Sequence, residues 1–375
     1  MASEKSIEQV LNLLTTAPKA EIESLHISAK SHAKNMQNII GNNNIVAIGI
    51  SEKISNDEPV GKLALTLYVE KKLPLEKLSG DKVIPPTVPE SISGNQAIPT
   101  DVVEIGKLTL EQDPLVTRNP LQPGYSIGHF EITAGTFGAV VSKGSELFIL
   151  SNSHVLAKSG TGKKGDAILY PGNADGGKNP DDLIAHLEDF APFLKGGDFV
   201  NHVDCAIAKP TKAGLTIITS EIKGLGIPKG IIKAQRGMKI TKVGRTTGKT
   251  TGVVNDVHFR TKITYDDGVG DIGFTDQVFC TRYSDGGDSG SLILDASTGR
   301  AVGLHFAGAK GGSVFNPIDE VLSALKVQLV TSSIGKNQVK NETTKKFVKK
   351  TSAAPKKIAP TKKPEQSKKV SKKKN

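Results

Sequence analysis

Gly286-Gly287-Asp288-Ser289-Gly290-Ser291 sets a serine between glycines, and the apolar run Leu292-Ile293-Leu294 follows directly. Glycine on both sides permits a sharp turn that exposes the hydroxyl. The missing Cβ also lets backbone N–H groups approach a substrate carbonyl. At average residue usage, Gly-Asp-Ser-Gly arises by chance in roughly one chain per hundred of this length. Taken alone, a plain glycine turn between two strands explains it better. The upstream sequence decides between the two.

In Leu150-Ser151-Asn152-Ser153-His154-Val155-Leu156-Ala157 a strand runs into a polar cap, and a histidine opens a short helical turn. In Asn201-His202-Val203-Asp204-Cys205-Ala206-Ile207-Ala208 an aspartate heads an apolar strand, where burial without a partner is costly. A lone histidine is ordinarily structural, and a lone aspartate finds a backbone amide. The order His154, Asp204, Ser289, with gaps of 50 and 85 residues, is a different matter. Three motifs in one order resemble the chymotrypsin/trypsin-like serine peptidases. Ala301-Val302-Gly303-Leu304-His305-Phe306-Ala307-Gly308 is similar to that family's strand after the nucleophile, and Val243-Gly244-Arg245-Thr246-Thr247-Gly248 to its entry into the second barrel.

A finer likeness is to bacterial trypsin-like proteins related to the plant narrow-leaf protein. It rests on Pro123 to His129, Ala134 to Gly138, the Ser151 to Ala157 run, Gly244 to Gly248 and Ile98 to Glu104.

The resemblance implies a mainly β, two-barrel, chymotrypsin-like protease. It hydrolyses protein or peptide substrates through a His154–Asp204–Ser289 triad and an acyl-enzyme. It places the oxyanion hole at the N–H groups of Gly287 and Ser289, and the substrate pocket at Tyr283, Phe306, Ala307 and Gly308. The alternative is a non-catalytic or self-cleaving scaffold that binds protein or nucleic acid through a basic tail. Two features depart from the family pattern. No activation site precedes the first barrel to supply a new N-terminus for Asp288. Tyr283, rather than an acid, stands six positions before the nucleophile, so cleavage after Lys or Arg is not expected.

Other signals are weaker. Gly244 to Thr250 lacks the four-residue spacing of a phosphate loop. His129 and His202 are rival bases without the strand-end context of His154. Cys205 and Cys280 sit in apolar strands and read as inert, buried thiols. No His/Cys cluster has zinc spacing, and no cofactor or metal is expected.

A length of 375 residues suggests two or three domains. With 39 glycines, no tryptophan and many short apolar runs, the chain favours β structure over a helical bundle. Residues 1–115 are expected as an α+β module. Its helical segments fall within 3–40, and its strand Leu63 to Val69 alternates as a half-buried strand. Residues 116–330 hold the double barrel, closed by a helix that Asn316 caps with Pro317 at its first turn. Residues 331–375 form a disordered tail of Lys, Pro, Ala, Ser and Thr. Fifteen lysines and two acids fall in 336–375, giving +13 of the net +11 and leaving the rest at −2. The basic balance therefore belongs to the tail, where non-specific nucleic-acid or acidic partners are expected. The start lacks a basic, then apolar, leader, and no apolar run approaches the ~18 residues of a membrane span. A cytoplasmic protein with reduced thiols is expected, and the narrow-leaf likeness implies self-assembly into a homo-oligomer.

Overall fold

The computed structural model describes residues 2–55, 58–94, 96–108, 118–196, 198–266 and 268–334. The Lys-rich tail beyond Ile334 and the segment 109–117 lie outside them.

The chain opens with helices α1 (Glu4–Thr15), α2 (Lys19–Ser24) and α3 (Ile27–Ile40), then strands β1 (Ile45–Ser55) and β2 (Glu58–Val69), the short helix α4 (Glu90–Ser93) and β3 (Thr100–Glu104). There follow β4 (Ser126–His129), β5 (Gly135–Thr136), β6 (Ala139–Lys143), β7 (Glu146–Ser151), α5 (Ser153–Leu156), β8 (Ala167–Leu169), β9 (Leu183–Phe190), β10 (Phe199–Asn201), β11 (Ala206–Pro210) and α6 (Lys212–Ile217). The last part holds β12 (Lys239–Gly244), β13 (Gly248–Tyr265), β14 (Gly270–Cys280), β15 (Leu292–Asp295), β16 (Ala301–Ala309), β17 (Gly312–Pro317), α7 (Ile318–Leu325) and β18 (Gln328–Leu329).

The fold is mainly β, with two curled sheets. One runs β18-β6-β7-β11-β9-β8-β4-β5. The other runs β10-β14-β17-β16-β15-β12-β13-β1-β2-β3, and a further β13–β14 pairing closes six of its strands into a barrel. Val141, Leu150, Cys205 and Ile207 from the first sheet meet Val243, Leu292 and Leu304 from the second in one apolar cluster, joined by Ile318, Val321 and Leu325 of α7. Burying each such side chain contributes about 1.5–3 kcal/mol. This shared core brings the C-terminal end of β7, the start of β11 and the β14–β15 connection to the same boundary.

The N-terminal strands continue the second sheet, since β1 pairs antiparallel with β13 through Ala47↔Thr261 and Ile48↔Arg260. Helix α1 starts at Ser3, whose hydroxyl accepts from the Ser6 N–H at 3.2 Å. Its Ile7, Val10, Leu11 and Leu14 recur at helical spacing and pack on Ile48, Ile50, Leu65 and Leu67. On the opposite face of the same strands, Tyr68 meets Phe259 and Phe279 at ring centroid distances of 5.1 and 5.0 Å. Ala64 to Val69 is therefore buried on both faces, where alternation had suggested a half-buried strand. The guanidinium of Arg260 on β13 ties the layers together. It donates to Leu11 O at 3.1 Å, to Asn12 Oδ1 at 2.6 Å, and to the Thr15 hydroxyl.

One expected cap is different. Helix α7 begins after Pro317, and Asn316 makes no cap hydrogen bond to it. Wholly buried at the end of β17, the Asn316 side chain turns inward: Oδ1 accepts from the Asp204 N–H at 3.1 Å, and Nδ2 donates to Gln277 Oε1 at 2.5 Å. A buried amide needs partners on both ends, and the Asp204 loop supplies one of them.

Candidate active site

His154 lies in α5, a single turn entered from β7. Asp204 lies just before β11, which pairs with β7 through Ala206↔Ser151. That pairing sets the two side by side. Asp204 is fully buried, and each of its carboxylate oxygens has two donors. Oδ1 accepts from the N–H of Ser153 at 2.6 Å and of His154 at 3.2 Å. Oδ2 accepts from His154 Nδ1 at 2.6 Å and from the Tyr265 hydroxyl at 2.8 Å. A carboxylate can only accept, so Nδ1 carries the proton and Nε2 presents its lone pair. Nε2 is buried with no hydrogen-bond partner among the described residues. Asn152 completes the hold by donating Nδ2 to the Asp204 carbonyl at 2.7 Å.

Ser289 lies in the tight turn before β15. Its carbonyl accepts from the Thr136 N–H at 2.8 Å, which anchors the turn to the first sheet. Its hydroxyl donates to Phe306 O at 3.4 Å rather than to His154. Catalytic hydrogen bonds are often long or misaligned without substrate and tighten in the complex.

The turn is shaped from beneath by Asp288. The carboxylate accepts from the N–H groups of Asp285, Thr246 and Thr247 at 3.0, 3.0 and 3.1 Å, and from the Thr247 hydroxyl at 2.6 Å. The Lys242 ammonium sits 2.8 Å away, with neither side chain exposed. Burial pushes the Asp288 pKa up, but the Lys242 charge and these hydrogen bonds outweigh it and hold it below the usual carboxylate range. The partner that sequence left open for Asp288 is thus an internal lysine.

Between residues 287 and 291, the N–H groups of Asp288, Gly290 and Ser291 donate to Asp285 O, His305 O and Asp288 O. Among the described residues, those of Gly287 and Ser289 have no internal acceptor. Gly287 has φ +84°, and a Cβ there would overlap Arg245 Nη1 and the Thr246 hydroxyl. Only glycine fits this position. Arg245 is itself buried, with Nε and Nη2 each 2.7 Å from the Asp175 carboxylate.

Strand β15 begins at Leu292, opposite Leu304, so Ala307 and Gly308 are paired on one edge only, with Val314 and Ser313 of β17, and Phe306 lies at a bulge in that pairing. Phe306, Ala307 and Gly308 are buried. Tyr283 points into the second barrel, packed with Ile240, Val254 and Phe315, and its hydroxyl lies 3.1 Å from His305 Nδ1. Asp285 is half exposed and paired with Arg282. The rival histidines stand apart: His129 is buried against Asp166 at 3.0 Å, and His202 is half exposed, 3.9 Å from Asp276. Both cysteines are buried and free, and desolvation pushes both thiols well above their usual pKa. Sequence reasoning missed Tyr265, Asn316 and Lys242. The only hint of Lys242 was its place just before the Val243–Gly248 motif.

No protein-family model matches the chain, and no curated protein matches it. Among solved structures the chain is similar to protease A of Thermobifida fusca (TM-score 0.40, 21% identity, covering 56% of this chain and 99% of that one). It is also similar to a glutamic acid specific serine protease described as using a histidine triad in substrate binding (0.40, 22%, 56% and 100%). A third is the chymotrypsin of Cellulomonas bogoriensis (0.38, 17%, 56% and 99%). These likenesses are distant.

Proposed function

We propose that the chain is a serine endopeptidase acting through His154, Asp204 and Ser289. The observation that carries this reading is the wholly buried Asp204 carboxylate, 2.6 Å from Nδ1 of His154, which leaves the Nε2 lone pair free to take a proton.

In this reading Ser289 Oγ attacks the scissile carbonyl as its proton passes to His154 Nε2. Asp204 fixes the tautomer and stabilises the imidazolium. The tetrahedral oxyanion is received by the unoccupied N–H groups of Gly287 and Ser289. One such donor is typically worth about 3–4 kcal/mol of transition-state stabilisation. Collapse expels the amine, which takes the proton from Nε2, and leaves an acyl-Ser289. Water, deprotonated by the same nitrogen, then releases the acid. The one-sided edge of β16 at Ala307 and Gly308 supports a substrate that binds as an added strand. Asp288 needs no freed N-terminus in this scheme, because Lys242 already neutralises it, so the protein is active without proteolytic activation. The likeness to narrow-leaf-related proteins is part of the same proposal and rests on the motifs quoted above.

The test is hydrolysis of a mixed peptide library by the purified full chain, read by mass spectrometry. Internal cleavages that vanish in Ser289→Ala are expected. Cleavage that persists in that variant contradicts the reading, and so does a chain that cleaves only esters.

A further inference from the structure

Tyr265 is the last residue of β13, next to the tip of a long hairpin that belongs to the second sheet. Its closing pair is Tyr265↔Gly270. The hairpin carries the phenol out of its own sheet to the Asp204 loop of the first. The hydroxyl donates to Asp204 Oδ2 at 2.8 Å, the same oxygen that receives His154 Nδ1. Both Tyr265 and Asp204 are buried. The ring is held by Phe193 and Phe274 at centroid distances of 4.9 and 6.3 Å, and it lies 6.1 Å from the His154 ring. Phe306, whose carbonyl accepts from the Ser289 hydroxyl, packs at a tilt against Phe274 with ring centroids 5.0 Å apart. Among the described residues, Tyr265 is the only side-chain hydroxyl on the Asp204 carboxylate.

From this geometry we infer that Tyr265 is a positioning residue of the reaction: its hydroxyl fixes the Asp204 carboxylate and tempers its pull on His154. The inference rests on the serine-hydrolase reading above. A carboxylate with a donor removed concentrates its charge on the remaining ones. Losing the hydroxyl therefore strengthens the Asp204–His154 attraction while freeing Asp204 to rotate.

Three titratable groups close to the pair keep one charge state across the working range. Tyr265 itself is pushed well above its usual pKa by burial and by Asp204, and Cys205 likewise. His305 on β16 is pushed down to about 3, chiefly by burial. All three stay neutral across the working range.

The test is Tyr265→Phe in the full chain, which keeps the ring and removes one oxygen. Three readouts are taken: kcat and KM on a peptide substrate, the midpoint of the acid limb of kcat/KM, and the low-field proton resonance of His154 Nδ1–H. The expected result is a fall in kcat of about tenfold with KM unchanged, a midpoint raised by about half a unit, and a downfield move of the resonance. The resonance needs no turnover, so it reads the contact even if the variant is slow. Unchanged kcat, midpoint and resonance in a wild type that is active would overturn the role of Tyr265 and leave the hydrolase reading intact. A wild type inert towards peptides would overturn the hydrolase reading, and this role with it.

Discussion

The Lys242 ammonium lies 2.8 Å from the Asp288 carboxylate, and neither side chain is exposed. The pair supports the turn that presents Ser289. Removing one partner of a buried pair strands the other and costs about 3–5 kcal/mol. Lys242→Met is therefore expected to lower the melting temperature and to abolish turnover in the fraction that remains folded. Melting and turnover measured on the same sample check this, and full turnover would show that the turn stands without the lysine. The pH sign follows from the depressed Asp288 pKa. The pair's contribution is present above the ordinary carboxylate range and is lost only as pH falls past the folded value.

Gly287 carries a second prediction. With φ +84° and Arg245 Nη1 against the place of a Cβ, Gly287→Ala must shift the guanidinium or the turn. Loss of activity by about 10²-fold or more is expected, the scale of a lost oxyanion donor, with a smaller loss of stability. Wild-type kcat in the alanine variant would contradict this.

Asp256 makes stability depend on pH in the opposite sense to Asp288. It is buried, accepts from the His258 N–H at 2.7 Å and the Tyr68 hydroxyl at 3.3 Å, and desolvation raises its pKa to about 7. An unfolded aspartate titrates near 3.9. The folded state therefore holds the extra proton between about pH 4 and 7, and stability falls as pH rises through that window. The upper bound is about 4 kcal/mol. Asp256→Asn should flatten the fall, as read by chemical denaturation at pH 4.5 and 8. An unchanged slope would place its origin elsewhere.

The two main site motifs were legible because each is local: a histidine at a strand end and a serine between glycines. Asp204 was legible as an acid at the head of an apolar strand. The second barrel was less so. Its long hairpin, β13 and β14, runs through 248–265 and 270–280, beyond the motifs read from the sequence. Phe259, Thr261, Ile263 and Tyr265 alternate with Arg260, Lys262 and Thr264, so the period of two is present there, but nothing local marks which residue of the row reaches Asp204, and Tyr265 was missed. Asn316 looked like a helix cap because it precedes proline and a helix. Its true partner lies 112 positions away in sequence, and no local pattern encodes that.

Removal of residues 2–108 is expected to leave an insoluble or strongly destabilised chain. It would strip β1 from β13, expose Tyr68's partners Phe259 and Phe279, and leave the Arg260 guanidinium without its α1 acceptors. Soluble yield and melting of the truncated chain check this. A stable fragment with full activity would show an independent appendage.

The central claim is that Ser289 is a nucleophile armed by His154, and covalent labelling tests it most directly. The native full chain is treated with a fluorophosphonate, and the adduct is located by mass spectrometry. The account predicts one adduct, on Ser289, that is lost in Ser289→Ala and slowed about 10³-fold or more in His154→Ala. No adduct on the folded wild type, or equal labelling of another serine in the Ser289→Ala variant, would contradict it.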